Sequence, residues 1–306
     1  MRTSVSVVIR CFNEAAHIGN LLQSLKGQTV ADHEVVVVDS GSTDGTTEIA
    51  SSFGANLVHI KPEEFSFGRS LNMGCKRAGG DVLLFASAHV LPVDARWIEN
   101  IVTPFVDDAV GLVYGRQIGF ERSKFSELEV FAKQFPADSN LDQKAPFCNN
   151  ANCAIRRAIW SSRPYDESLT GLEDMEWAQW LLAQGRRIAY NAEAAVIHIH
   201  NETPSKIFRR YEREAIAMKR IFPDSHMTFI EFVSLLGANI FLDMARALKK
   251  GVLWKNAADI LAFRLMQYWG TYRGFRFKSG VTREVIARFY YPRTPNMLIR
   301  KRNEVP

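Results

Sequence analysis

The chain has 306 residues, 47% of them hydrophobic and 23% charged, with a formal net charge of +5 at pH 7. This composition excludes a disordered chain, and the length suits one large domain or one domain with an appendage. Four cysteines, with no C-x-x-C pair and no histidine at zinc-site spacing, exclude a disulfide scaffold and a zinc module.

Residues 5–10, VSVVIR, form a β-branched run that reads as a strand and ends in Cys11-Phe12-Asn13-Glu14. No apolar signal-peptide core precedes it, so a cytoplasmic protein is expected. Asn13 is placed as a helix N-cap, with Ile18, Leu21, Leu22 and Leu25 marking one helical face closed by Gly27. A second buried strand, residues 34–38, ends in Asp39-Ser40-Gly41-Ser42-Thr43-Asp44-Gly45-Thr46. Small residues there let a backbone approach a ligand, at the start of a helix where anions are favoured.

Residues 55–60 read as a third strand and residues 67–77 as a helix carrying Arg69 and Asn72. Residues 82–86, VLLFA, make a fourth strand that stops at Ser87-Ala88-His89. Strand and helix alternating on short connections imply a parallel sheet wound by helices. In such a sheet, ligands bind beyond the carboxyl ends of the strands. Three strands here end in polar clusters: Asn13 and Glu14, Asp39, and Ser87 and His89. No G-x-G-x-x-G and no P-loop motif accompanies them, which argues against dinucleotide and P-loop folds.

The blocks VSVVIRCFNE, EVVVVDSGSTDGT and GRSLNMGCKRAGGDVLLFASAHVLP resemble the family-2 glycosyltransferases of GT-A fold, in order and in spacing. FCNNANCAIRR and GLEDMEWAQWLLAQGRRIAY resemble that family's acceptor-side segments, so the likeness covers roughly residues 4–200. It implies an α/β, Rossmann-like, mostly parallel sheet wound by helices over residues 1–203, with a helical appendage over 204–306. It also implies transfer of a sugar, with inversion, from a UDP, dTDP or GDP sugar to a glycan or lipid-linked hydroxyl.

Carried over by position, Asn13, Glu14 and Asp39 resemble the residues that hold base and ribose. A carboxylate suits ribose hydroxyls because it is a pure acceptor. Ser42 and Asp44 neighbour that pocket, Arg69 and Asn72 match a helix near the donor, and Arg10 adds a cation at the first strand. Asp174, with Glu173 as its reserve, matches the segment that supplies the catalytic base. The departure is Ser87-Ala88-His89, where most relatives carry an Asp-x-Asp motif for a divalent cation. Imidazole ligates Mn²⁺ better than Mg²⁺. Metal use therefore stays open: His89, joined by His198, holds a divalent cation, or a protonated His89 faces the diphosphate directly.

Further along, residues 111–119 read as a strand with Arg116 and Gln117 as pocket-lining candidates, and Asn149, Asn150 and Asn152 as amides suited to sugar hydroxyls or to turns. Residues 196–200, VIHIH, alternate so that His198 and His200 share a face. From Lys206 onward the chain carries about twenty Lys and Arg against about eight acids, on helical patterns with interleaved aromatics. This suits an anionic membrane surface at the inner face of the membrane, core packing, or a homo-oligomer contact. No nucleic-acid motif accompanies the charge. The rival readings are a non-catalytic nucleotide- or glycan-binding relative and a nucleotidyltransferase.

Overall fold

The computed structural model describes residues 4–200 and 202–278. The front half alternates as expected: β1 (Val5–Cys11), α1 (Ile18–Lys26), β2 (His33–Asp39), α2 (Thr46–Ser52), β3 (Asn56–His59), α3 (Phe67–Arg77) and β4 (Val82–Ser87). Then follow β5 (Val90–Pro92), α4 (Trp97–Val102), β6 (Val110–Gly119), α5 (Phe125–Gln134), β7 (Asn140–Gln143) and β8 (Asn152–Arg156). The chain continues through α6 (Arg157–Ser162), α7 (Glu173–Ala183), β9 (Arg187–His198), α8 (Pro204–Ile221), α9 (Phe229–Lys249) and α10 (Leu253–Phe275).

The strands form one sheet in the order β3-β2-β1-β4-β8-β6-β9-β5, with β7 beside β9. The β3-β2-β1-β4 half is all parallel, whereas β8 pairs antiparallel with both β4 and β6. Strand β1 is almost wholly buried because each face has its own helical layer. Val7, Ile9, Val37 and Leu84 pack with α1, α2 and α4, while Val8, Val36, Leu83 and Phe85 pack with α3, α6 and α7.

Register decides where the polar ends go. Cys11 pairs with Asp39, Arg10 with Ser87, and Asp39 with His59, so four strands finish on one line. On the far side, β6 and β9 slip register between Gly115 and Gln117. A Cβ at Gly115 would run into the carbonyl oxygen of Ala194 and the side chain of Asn152, so only glycine permits that approach.

Helices α8 and α10 pack closely because Gly270 and Gly274 face the α8 backbone, where a Cβ would meet the carbonyl oxygens of Phe208 and Glu212. Helix α9 leans on this pair through a buried ion pair, Arg264 Nε to Asp243 Oδ2 at 2.7 Å. Phe125 of α5 joins Ala247 and Ile260 in a small cluster that ties the tail to the sheet domain.

One local expectation fails. Asn13 does not cap α1, whose N-cap is His17 with no side-chain bond. Asn13 instead takes φ +55° and its side chain accepts Thr43 N–H at 2.9 Å, so it staples one loop to the next.

Candidate active site

Loops after β1 and β2 lock together. Ser42 Oγ accepts Asn13 N–H at 2.8 Å, and Asp44 accepts Ala15 N–H at 3.0 Å and the Thr46 hydroxyl at 2.5 Å. Burial works slightly against the Asp44 carboxylate, yet these bonds hold its pKa below the usual value. Asp39 is buried at the end of β2, where it accepts Gly41 N–H at 3.0 Å and Ser42 N–H at 3.2 Å. The predicted nucleotide-pocket residues Asn13, Glu14, Asp39, Ser42 and Asp44 are therefore together, and much of their bonding holds the two loops to each other.

Two residues expected near the donor have protein partners. Arg69 spends its fork on Glu167 at 3.3 Å and Glu64 at 3.6 Å, as a part-exposed ion pair. Asn72 is buried with a full set of protein partners. Its amide donates to Tyr165 O and Glu167, and its oxygen accepts from Trp160 Nε1 and Tyr165 N. Such an amide has no capacity left for a ligand. Its work is to hold α3 against the chain that leads into α7.

Beyond β4, His89 Nδ1 lies 2.7 Å from Glu14 Oε1, and Ser87 Oγ lies 3.1 Å from His89 Nε2. The His89 ring stacks on His198, centroids 5.1 Å apart, and His198 and His200 rings are 4.0 Å apart. Nδ1 of His198 meets Gln117 Oε1 at 2.6 Å, and Nδ1 of His200 meets Glu127 Oε1 at 2.8 Å. In each case an oxygen acceptor faces Nδ1, an arrangement that favours the Nδ1–H tautomer, with Nε2 as the lone-pair nitrogen. Burial first, then the neighbouring imidazoles and Arg210, push the His198 pKa well down, so this ring is neutral. Its Nε2 is buried and has no hydrogen-bond partner. One ligand atom from each of His89, His198 and His200 falls within 4.8 Å of the others. A borderline divalent ion fits this donor set, and His200 joins the two predicted ligands.

Glu173 and Asp174 open α7, directly after Leu172 at φ +56°. Asn13 and Leu172 are the two non-glycine residues with positive φ among the described residues, and each abuts a candidate functional pair. Asp174 accepts Asn150 N–H at 3.0 Å and Met175 N–H at 2.8 Å. Burial, and then the charge of Glu173, push its pKa up to about 7. Arg10 approaches Glu173 at 3.6 Å, lies over the Phe67 ring, and keeps a buried Nη1 without a hydrogen bond. Of the three asparagines, Asn150 steadies the acidic pair and Asn152 ties Trp97 to β6 and β9.

Asp174, His198 and His200 all line a cavity of about 270 Å³ whose other wall comes from α8 and α10. The profile of Glycosyl transferase family 2 covers residues 6–162. The chain belongs to that family. It is a glycosyltransferase.

It is 30% identical over 221 residues to the O-antigen chain rhamnosyltransferase RfbN of Salmonella typhimurium, which spans 68% of this chain and 70% of that one. The rhamnosyltransferase WbaN of Salmonella anatum is 29% identical over 222 residues, with the same shares. Among solved structures, the mannosyltransferase PcManGT from Pyrobaculum calidifontis, in complex with GDP-Man and Mn²⁺, has a TM-score of 0.61. It is 18% identical and is covered over 96% of this chain and 89% of that chain, a likeness of GT-A fold.

Sequence reasoning missed Glu127, Arg210 and Glu214. Glu127 is buried, and burial works against its charge. The bond from His200 and the Arg210 guanidinium outweigh that and hold its pKa below the usual value. No local motif marks these residues, because their meeting with the histidines depends on where α5 and α8 dock.

Proposed function

We propose that this glycosyltransferase moves a sugar from a nucleotide diphosphate sugar to a hydroxyl of a glycan or lipid-linked acceptor, with inversion, in assembly of a surface polysaccharide. One observation carries the reading. Asp174 is a buried carboxylate, fixed by two backbone N–H groups, at a cavity that also reaches the histidine cluster. A base so placed takes the proton of the acceptor hydroxyl as its oxygen attacks the anomeric carbon. The bond from that carbon to the diphosphate breaks as the new bond forms. The names of the two Salmonella relatives support a deoxyhexosyl donor.

His89, His198 and His200 are the residues that would hold a divalent cation, Mn²⁺ in preference to Mg²⁺, and the solved relative with Mn²⁺ supports this. Such an ion supplies positive charge for the departing diphosphate, commonly the largest catalytic contribution. Arg10, whose Nη1 lies 3.6 Å from Glu173 and makes no hydrogen bond, adds a second cation from β1. Asp39, Asn13 and Glu14 shape the nucleotide pocket. The division into a sheet domain over 1–203 and a tail over 204–306 belongs to the same proposal.

The tail is proposed to lie on anionic lipid at the inner face of the membrane. No described helix is long and apolar enough to cross a bilayer. Yet Ile230, Val233, Phe241 and Leu248 of α9 and Trp254 of α10 are exposed, with Lys249, Lys250 and Lys255 beside them. Apolar side chains flanked by lysines suit a headgroup layer. Residues 279–306, the rest of the basic tail, lie outside the described residues.

The test of the reaction is donor turnover across UDP, dTDP and GDP sugars. Sugar release or transfer from one of them is expected. Binding of a donor with no turnover would favour a non-catalytic relative, and pyrophosphate release would favour a nucleotidyltransferase.

A further inference from the structure

The cavity of about 270 Å³ is set apart from the nucleotide pocket. None of Arg10, Asn13, Glu14, Asp39, Ser87 and His89 lines it. It meets the reaction centre only through Asp174, His198 and His200, and so lies on the base's side of the reacting bond. Its wall has two chemistries. Phe131, Phe135, Phe147, Tyr211 and Phe275 supply flat apolar faces, while Gln134, Asn149 and Glu214 supply polar atoms.

The charges restrict the occupant. Arg210 is committed to Glu127 at 3.1 Å and Glu202 at 2.7 Å, which leaves it little attraction for an anion. Glu214 lines the cavity and makes no hydrogen bond or ion pair among the described residues. Burial raises its pKa, with the charges of Arg210 and Arg213 opposing. With Glu127 and Asp174, it gives the cavity three acidic groups against one arginine, Arg210. A phosphate or carboxylate would be disfavoured beside these acids, and an acyl chain would offer the Glu214 carboxylate no donor. A neutral sugar satisfies both walls: its C–H face lies on an aromatic ring and its hydroxyls donate to carboxylates. The volume, near the lower end for small-molecule sites of roughly 300–1,000 Å³, suits a terminal sugar unit.

We infer that this cavity, between α5 and the α8–α10 pair, is the acceptor pocket, and that it takes a neutral terminal sugar with a hydroxyl bound by Glu214. The inference rests on the glycosyl-transfer reading for Asp174, but its test does not need turnover. Saturation-transfer NMR with methyl α-rhamnoside, glucuronate and octanoate as probes reads the pocket directly. Nucleotide titration on the same samples reads the donor site.

The neutral glycoside is expected to bind the native chain, and glucuronate and octanoate are not. Met218→Trp, which fills the cavity from α8, should abolish the glycoside signal and leave nucleotide affinity unchanged. Glu214→Gln, a near-isosteric change that spares the fold, should weaken the glycoside roughly ten-fold, as for a hydrogen bond to a charged group. An unchanged glycoside signal in Glu214→Gln, or preference for glucuronate or octanoate, overturns the pocket assignment. Loss of nucleotide binding in Met218→Trp, with the fold intact by circular dichroism, gives the cavity to the donor instead. Native protein that binds the glycoside but no nucleotide would overturn the donor reading and leave the pocket standing.

Discussion

Arg10 of β1 and Glu173 of α7 meet across the top of the sheet, Nη1 to Oε1 at 3.6 Å. The contact links the end of β1 to the acidic pair. It also sorts that pair, because Glu173 has the cation nearer to it while Asp174 is left with backbone partners and a raised pKa.

Asp174 must be ionised to act as a base, and its pKa is pushed up to about 7. The transfer rate should therefore climb from pH 6 to 8 with a midpoint near 7. Asp174→Asn should lower kcat by roughly 10²–10⁴-fold and remove that limb. Stability should run the other way. The native chain holds this proton up to about 7 and the unfolded chain loses it near 3.8, so the Asp174 contribution falls as pH rises through that window. Asp174→Asn should thus gain more in Tm at pH 8 than at pH 5. Near-normal turnover in the variant removes Asp174 from the mechanism.

Asp39→Ala should weaken nucleotide affinity by about 1–3 kcal/mol by calorimetry, through a lost charge-assisted bond and a loosened Gly41–Ser42 turn. Unchanged affinity for every nucleotide tested would place the donor elsewhere.

EDTA should abolish transfer, with Mn²⁺ restoring it better than Mg²⁺ because three imidazoles favour the softer ion. Mn²⁺ binding, read from loss of the free-ion paramagnetic resonance signal, should disappear in His198→Ala. It should weaken roughly 10–100-fold in Glu127→Gln, whose side chain orients His200. Full activity in EDTA at pH 7, rising further as His89 is protonated, would favour direct contact of that imidazole with the diphosphate.

The tail should pull the protein down with anionic vesicles at low salt and release it as salt screens the lysines. Phe241→Glu and Trp254→Glu, at side chains 72% and 92% exposed, should weaken sedimentation without lowering Tm. Binding indifferent to lipid charge and salt would point to a protein partner for this face.

How far the sequence carried depends on range. The β1, β2 and β4 runs, and the polar residues that close them, were readable because strand burial and strand ends are local properties. Asp174 was readable for the same reason, standing at the start of an apolar helix within a familiar block. The protein partners of Asn72 and Arg69 were not readable, because helical position does not reveal whether Trp160, Tyr165 or Glu167 will fold back onto them. Asn13 misled because a good capping residue serves a loop as well as a helix. Glu127, Arg210 and Glu214 gave no signal, since each acquires its neighbours from elements tens of residues away.

The two glycines of α10 tie one wall of the cavity to its backing. With Gly270 and Gly274 seated on the α8 backbone, neither helix can be exchanged for a relative's without its mate, since an incoming side chain would collide with Phe208 or Glu212. Retargeting such an enzyme to another glycan by grafting therefore has a minimum unit. The piece to transplant runs from Pro204 to Phe275 as one block, and single-helix chimaeras should be insoluble before they are ever inactive.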